Sequence, residues 1–224
     1  KKIALFCNVQ INSVIESIDA DTIYAVPLMM LKERLDQRAL YMLDIYNDKD
    51  VDLDSWKQFL SKLQNPVDAV KIGLVGKYVE LHDAYKSIVE AFIHAGATNE
   101  CKVNIEWIHS ESLTPENIGE KLSGLDGVLV APGFGERGIE GKIAAIQYVR
   151  EQGIPFFGIC LGMQMAVIEY ARNVLGLQGA HSFEMDPATE YPVIHLMEDQ
   201  KDVSNKGGTM RLGAYPCKLK KDSN

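Results

Sequence analysis

The run Gly158-Ile159-Cys160-Leu161-Gly162 sets a cysteine between two glycines, each two residues away. A nucleophile carried on a sharp strand-to-helix turn needs small neighbours, because its backbone is strained and is closely approached by the helix and by the substrate. Gly158 and Gly162 meet that need. Ahead of the turn, Pro155-Phe156-Phe157 is strand-like, and beyond it Met163, Val167, Tyr170, Ala171 and Val174 recur at helical spacing. Cys160 is thereby placed at the C-terminal end of a strand and the start of a helix. There the helix dipole favours a thiolate, and the free N–H of Leu161 can face an oxyanion. The bland alternative is a structural cysteine buried on a core strand, and the flanking glycines weigh against it.

Outward from this turn the chain alternates apolar strands with helices, the pattern of parallel βαβ units. Strands are predicted over 71–75, 103–108, 127–131 and 155–159, and helices near 82–94, 140–151 and 162–175. This is an α/β class with a doubly wound, mostly parallel sheet and flanking helices. The region before it reads differently. Residues 3–7 suit a short buried strand, 14–18 and 22–35 helical or turn segments, and 46–54 an exposed Asp- and Asn-rich connection. An amphipathic helix with Trp56, Phe59, Leu60 and Leu63 follows and ends at Asn65-Pro66. Two domains are expected, residues 1–69 and residues 70–224.

Composition narrows the class of function. Apolar residues make up 46% and charged residues 24%, as in an ordinary globular protein. A net charge of -8 repels phosphate polymers and argues against nucleic acid as a partner, while leaving room for a local nucleotide site. Cys7, Cys101, Cys160 and Cys217 are scattered, show no zinc spacing, and favour a reducing, cytoplasmic setting; no metal site is expected. No stretch approaches the roughly 20 apolar residues of a membrane helix, so no membrane partner is expected. The turn itself identifies an architecture more securely than a reaction, since serine in the same place would suggest an α/β-hydrolase.

The longer string Gly158-Ile159-Cys160-Leu161-Gly162-Met163-Gln164 resembles the elbow of the class I glutaminases, a flavodoxin-like fold, and its Gly-Met-Gln is similar to that of the CTP synthase family. Residues 2–9, 75–81, 83–87 and 207–213 resemble the same family, so the likeness spans nearly the whole chain. It implies that residues from about Val70 form the glutaminase domain. The residues before it would be the end of the ATP-dependent synthase (amidoligase) domain and a linker. In the family the synthase domain uses ATP and magnesium to phosphorylate the 4-oxygen of UTP, and ammonia released from glutamine displaces the phosphate to give CTP. GTP is the allosteric activator, and the enzyme is a homotetramer.

Carried over position by position, the resemblance makes Cys160 the nucleophile and Glu184 the carboxylate that pairs with the α-ammonium of glutamine. Leu161, Gly162, Met163 and Gln164 would line the glutamine site. The loop Ala131-Pro132-Gly133-Phe134-Gly135 follows a strand, where the Gly133 N–H could complete an oxyanion hole begun at Leu161. Many family members have two glycines where this chain has Pro132-Gly133. Proline has no N–H, so the donor role falls on Gly133. Lys2 matches the pyrimidine-nucleotide lysine and Ala20 a backbone contact to ATP. Phe134, Arg137 and Leu212 resemble GTP-site residues.

A cysteine glutaminase also needs a histidine to take the thiol proton and an acid to orient that imidazole. The family has a His-x-Glu pair for this. The histidines here are His82, His94, His109, His181 and His195, and none stands in such a pair; His195 and Glu198 have the wrong spacing. The pair is expected beyond Asn224, in a longer protein. Two other readings stay open: a glutaminase serving a different synthase, and a non-catalytic regulatory domain of the same fold. A single general base contributes about 10² to 10⁴ in rate. The 224-residue chain alone is therefore expected to bind glutamine poorly and hydrolyse it slowly. A coupled ammonia assay checks this, and vigorous turnover would refute it.

Overall fold

The structure, a computed structural model, describes residues 1–47, 49–196 and 218–221. It divides into two compact units, residues 1–70 with 86–104, and residues 71–85 with 105–224.

The first unit holds the helices α1 (Lys2–Phe6), α2 (Val26–Lys32), α3 (Leu35–Met42), α4 (Asp54–Gln64) and α5 (Lys86–Thr98). The strand expected over 3–7 is a helix instead. The Leu5 N–H donates to the Lys1 carbonyl at 3.0 Å and the Cys7 N–H to Ile3 at 2.9 Å. This run is paired with no strand among the described residues, so its backbone groups are satisfied internally. Only Ala4 of the helix is buried. The helix expected to end at Asn65-Pro66 is α4, which packs on α5. There Tyr24, Trp56, Phe59 and His94 form a ring cluster with centroids 5.2 to 6.0 Å apart. The Tyr24 hydroxyl donates to Glu90 and lies 2.7 Å from His94 Nε2. Burial, with the Glu90 hydrogen bond and charge adding to it, pushes the Tyr24 phenol up to about 12.

The sheet comprises β1 (Asp68–Gly76), β2 (Cys101–His109), β3 (Gly127–Val130) and β4 (Phe156–Gly158), in the order β2-β1-β3-β4. β3 runs parallel to both β1 and β4, with Val75 opposite Val130 and Val130 opposite Gly158. These are the four predicted strands, shifted by a few residues at their ends. A second, two-stranded parallel pair is β5 (His181–Ser182) with β6 (Pro192–Ile194).

The helices of the second unit are α6 (Ile118–Leu122), α7 (Ile139–Gln152) and α8 (Leu161–Asn173), the last two close to their predicted spans. The helix predicted from His82 begins only at Lys86. Residues 82–85 are a 3-10 turn, held because the buried Tyr85 hydroxyl accepts from the N–H groups of Lys77 and Tyr78 at 3.1 and 3.3 Å. α7 buries Ile139, Ile143, Ile146 and Val149, and α8 buries Leu161, Met165, Ile168 and Ala171, against a β3 with no exposed residue. Full burial stabilises each large aliphatic side chain by about 1.5–3 kcal/mol.

This strand order positions the site. The chain leaves β1 for β2 on one side and returns to place β3 and β4 on the other. The carboxyl ends of β1 and β3 thus flank the point where such sheets open a ligand crevice. Lys77 follows β1, residues 131–135 follow β3, and Cys160 follows β4.

α7 and α8 are joined by a charge pair as well as by apolar contact. Glu169, 1% exposed, accepts two bonds from Arg150 Nε at 3.1 Å and one from Nη2 at 2.8 Å. Arg150→Met leaves that carboxylate buried without its cation. We expect a loss of about 3–5 kcal/mol, read as a lower urea midpoint, and an unchanged midpoint would contradict the pairing.

Candidate active site

Cys160 occupies the N-cap of α8 at φ 52° and ψ -108°, a backbone conformation that costs a non-glycine residue strain. Its thiol is exposed. Three close approaches keep the turn sharp. A Cβ on Gly162 would collide with the Val130 carbonyl of β3. A Cβ on Gly158 would stand 2.6 Å from the Gly162 carbonyl carbon and 2.7 Å from the Met163 nitrogen. The Ile159 N–H donates to the Val130 carbonyl at 3.1 Å, and the Gly162 N–H to Ile159 at 2.9 Å. Both glycines are therefore steric requirements of this geometry.

Beside the elbow lies the turn after β3. Gly133 is half-buried, and a Cβ there would be 3.6 Å from Leu161 Cδ2 and 3.8 Å from Lys142 Nζ. The two residues expected to supply oxyanion donors, Gly133 and Leu161, are thus neighbours. Their N–H groups meet no acceptor among the described residues. The turn is pinned from below by two lysines that the sequence reading passed over. Lys142 Nζ donates to the Ala131 carbonyl at 2.8 Å. Lys77 Nζ donates to the carbonyls of Phe134 at 2.6 Å and Gly135 at 2.8 Å. Burial lowers both ammonium groups from the usual lysine value, Lys142 to about 8. Lys77 lowers Lys142 further and Cys160 opposes the shift. A signal for Lys142 was present in the sequence: it lies three residues after Ile139 and four before Ile146, on the apolar stripe of its helix.

The other expected residues are distributed as follows. Met163 is exposed and Gln164 half-buried on the first turn of α8, the Gln164 N–H donating to the Cys160 carbonyl at 3.1 Å. Glu184 is exposed just after β5, its N–H on the Ser182 hydroxyl at 3.3 Å. Phe134 is exposed, and the Arg137 guanidinium lies over the Tyr78 ring at 5.6 Å and pairs with Glu111 at 3.1 Å. Lys2 is exposed on α1 and Ala20 half-buried, both in the first unit. Leu212, with the 207–213 loop, lies outside the described residues.

Each of the five histidines is engaged away from Cys160. His82 stacks on Trp107 at 4.2 Å, and His94 joins Tyr24 in the first unit. His109 Nδ1 accepts from the Glu111 N–H at 3.3 Å, and His181 Nδ1 from the Ser182 N–H at 2.8 Å. His195 stacks on Phe183 at 4.5 Å. Among the described residues no group of three or more His, Cys, Asp or Glu side chains could hold a metal, and no helix is long and apolar enough to cross a membrane.

Residues 80–224 match the family model for glutamine amidotransferase class-I, and residues 1–45 that for the CTP synthase N-terminus. A CTP synthase of Cytophaga hutchinsonii is 67% identical over 223 residues, which is 100% of this chain and 41% of the relative. One of Clostridium acetobutylicum is 57% identical over 223 residues, 100% of this chain and 42% of the relative. The chain thus spans about two fifths of the length of these curated relatives. Among solved structures, the glutaminase domain of Trypanosoma brucei CTPS with bound acivicin matches with a TM-score of 0.56 and 39% identity, covering 59% of this chain and 52% of that one.

The elbow's steric requirement is directly testable. Gly162→Ala forces α8 away from β3 and should lower stability by about 1–3 kcal/mol, seen as a reduced thermal midpoint. A variant as stable as the parent would contradict the close approach.

Proposed function

This chain belongs to the class-I glutamine amidotransferase family, and from that membership we propose that it is the glutaminase part of a CTP synthase. The observation that carries the reading is the Cys160 elbow: an exposed thiol at a helix N-terminus, on strained backbone, followed by Leu161, whose N–H meets no acceptor among the described residues.

The chemistry follows from that arrangement. Cys160 Sγ bonds to the side-chain amide carbon of glutamine, and the carbonyl π pair moves onto oxygen, where the N–H groups of Leu161 and Gly133 stabilise it. Collapse of this intermediate breaks the C–N bond, and the nitrogen leaves as ammonia carrying the proton the thiol gave up. Water then attacks the thioester, the C–S bond breaks, and glutamate departs as the thiol is restored. Glu184 would pair with the substrate α-ammonium, and Gly162, Met163 and Gln164 would line its path. None of the five histidines stands in a His-x-Glu pair, and we infer that the base that relays the proton is none of them. We infer that this chain alone is slow for that reason.

Residues 1–69 are read as the end of the synthase domain with its linker and 70–224 as the glutaminase domain; the matches at 1–45 and 80–224 support the division. ATP, magnesium and UTP would act in the synthase domain, with Lys2 and Ala20 as its nucleotide contacts here. Among the described residues no group of three or more His, Cys, Asp or Glu side chains could hold that magnesium. GTP would be the activator, stacking on exposed Phe134 and meeting Arg137, with Leu212 as a lid contact. The full-length protein is read as a cytoplasmic homotetramer. A glutaminase serving a different synthase, or a regulatory domain without activity, is disfavoured by the match of residues 1–45 and by the intact elbow.

In the full-length protein an electrophilic glutamine analogue should add to Cys160, visible by intact mass and peptide mapping. Cys160→Ala should abolish the adduct and glutamine-driven CTP formation while leaving ammonia-driven formation in place. Failure of the parent protein to form the adduct would sink this reading.

A further inference from the structure

Two buried ammonium groups stand beneath the turn over residues 131–135, and neither is ion-paired among the described residues. Lys142 is 0% and Lys77 3% exposed. The ion pairs of the second unit lie elsewhere, Arg150 with Glu169 and Glu151, Arg172 with Glu140, and Arg137 with Glu111. Only backbone carbonyls of the turn take the lysine protons. Lys142 also sits in the first turn of α7, where the helix dipole disfavours a cation. Stability alone gives no reason for a lysine here, because an apolar side chain of similar length would fill the stripe of Ile139, Ile143 and Ile146 without desolvating a charge.

The placement gives a reason. Lys142 Nζ holds the Ala131 carbonyl at one end of the turn and Lys77 holds Phe134 and Gly135 at the other. Between these pins lies Gly133, which packs near both Leu161 and the Lys142 ammonium. On the glutaminase reading, negative charge develops at the oxygen that meets the N–H groups of Leu161 and Gly133. A cation without a carboxylate partner is the counter-charge such a site needs, and a turn fixed at both ends keeps its donor aimed.

We propose that Lys142 is a positioning residue of the glutaminase centre, its buried ammonium fixing the 131–135 turn and setting beneath the oxyanion a positive charge that has no ion-pair partner among the described residues. Acting through Gly133, Lys142 does not touch the substrate. The inference rests on the glutaminase reading of Cys160.

The test uses the full-length protein with Lys142→Met, which removes both donor and charge, and Lys142→Gln, which keeps a donor without charge. For Lys142→Met, kcat for ammonia release from glutamine should fall about 10²-fold, with KM held within about threefold. Lys142→Gln should fall less, by about tenfold. Ammonia-driven CTP formation, which passes through no glutamine oxyanion, should keep its parent rate in both. If Lys142→Met does not fold, Lys142→Gln decides by the same readouts. A kcat within about threefold of the parent, or parallel loss of ammonia-driven synthesis in both variants, would overturn the proposal. A parent protein that supports ammonia-driven synthesis yet releases no ammonia from glutamine would instead fail the glutaminase reading itself, and this inference with it.

Discussion

Between the Val130 carbonyl and Gly162 there is no space for a single carbon atom. That contact brings the first turn of α8 down onto the end of β3, and the chain can then pass from β4 into the helix only through one strained residue. Cys160 is that residue. Gly158 is drawn into the same constraint, because the helix pressed onto β3 also lies across β4. The exposure of the thiol and the nearness of Leu161 to the 131–135 turn both accompany this approach of helix to strand.

Charge is handled in two contrasting ways in the same unit. Glu169 and Arg150 neutralise one another between α7 and α8, an arrangement that links helices and leaves no net field. Beneath the turn after β3, the ammonium groups of Lys142 and Lys77 hydrogen-bond, among the described residues, only to carbonyl dipoles. Dipoles solvate a cation without cancelling it. The first arrangement belongs to architecture, whereas the second leaves positive potential where anionic chemistry takes place.

Much of this was readable from residue order. Strands β1 to β4 appeared as apolar runs, and the elbow followed from Gly158 and Gly162, because both periodicity and steric demand are local properties. Errors arose where partners decide. The run over 3–7 has strand character but no strand beside it, and it coils into α1. The helix read from His82 loses its first turn to the Tyr85 hydroxyl, which is bonded back to Lys77 and Tyr78. The lysines under the turn were missed for a related reason. In a sequence a lysine reads as surface, and only the stripe of isoleucines around Lys142 hinted that it points inward.

The site gathers its parts from far along the chain. Lys77 arrives with β1, Ala131 with β3 and Cys160 with β4, so no piece of the chain shorter than about eighty residues contains all three. Parallel strands cannot be joined by a tight turn, and each crossover closes a long loop before its contacts reward it. The centre is thus a product of high contact order, and its parts meet only when β1, β3 and β4 are paired. Without β3 beside β4, no close approach to the Val130 carbonyl holds Cys160 in its strained conformation, so the reactivity of one residue depends on the pairing of strands far apart in sequence.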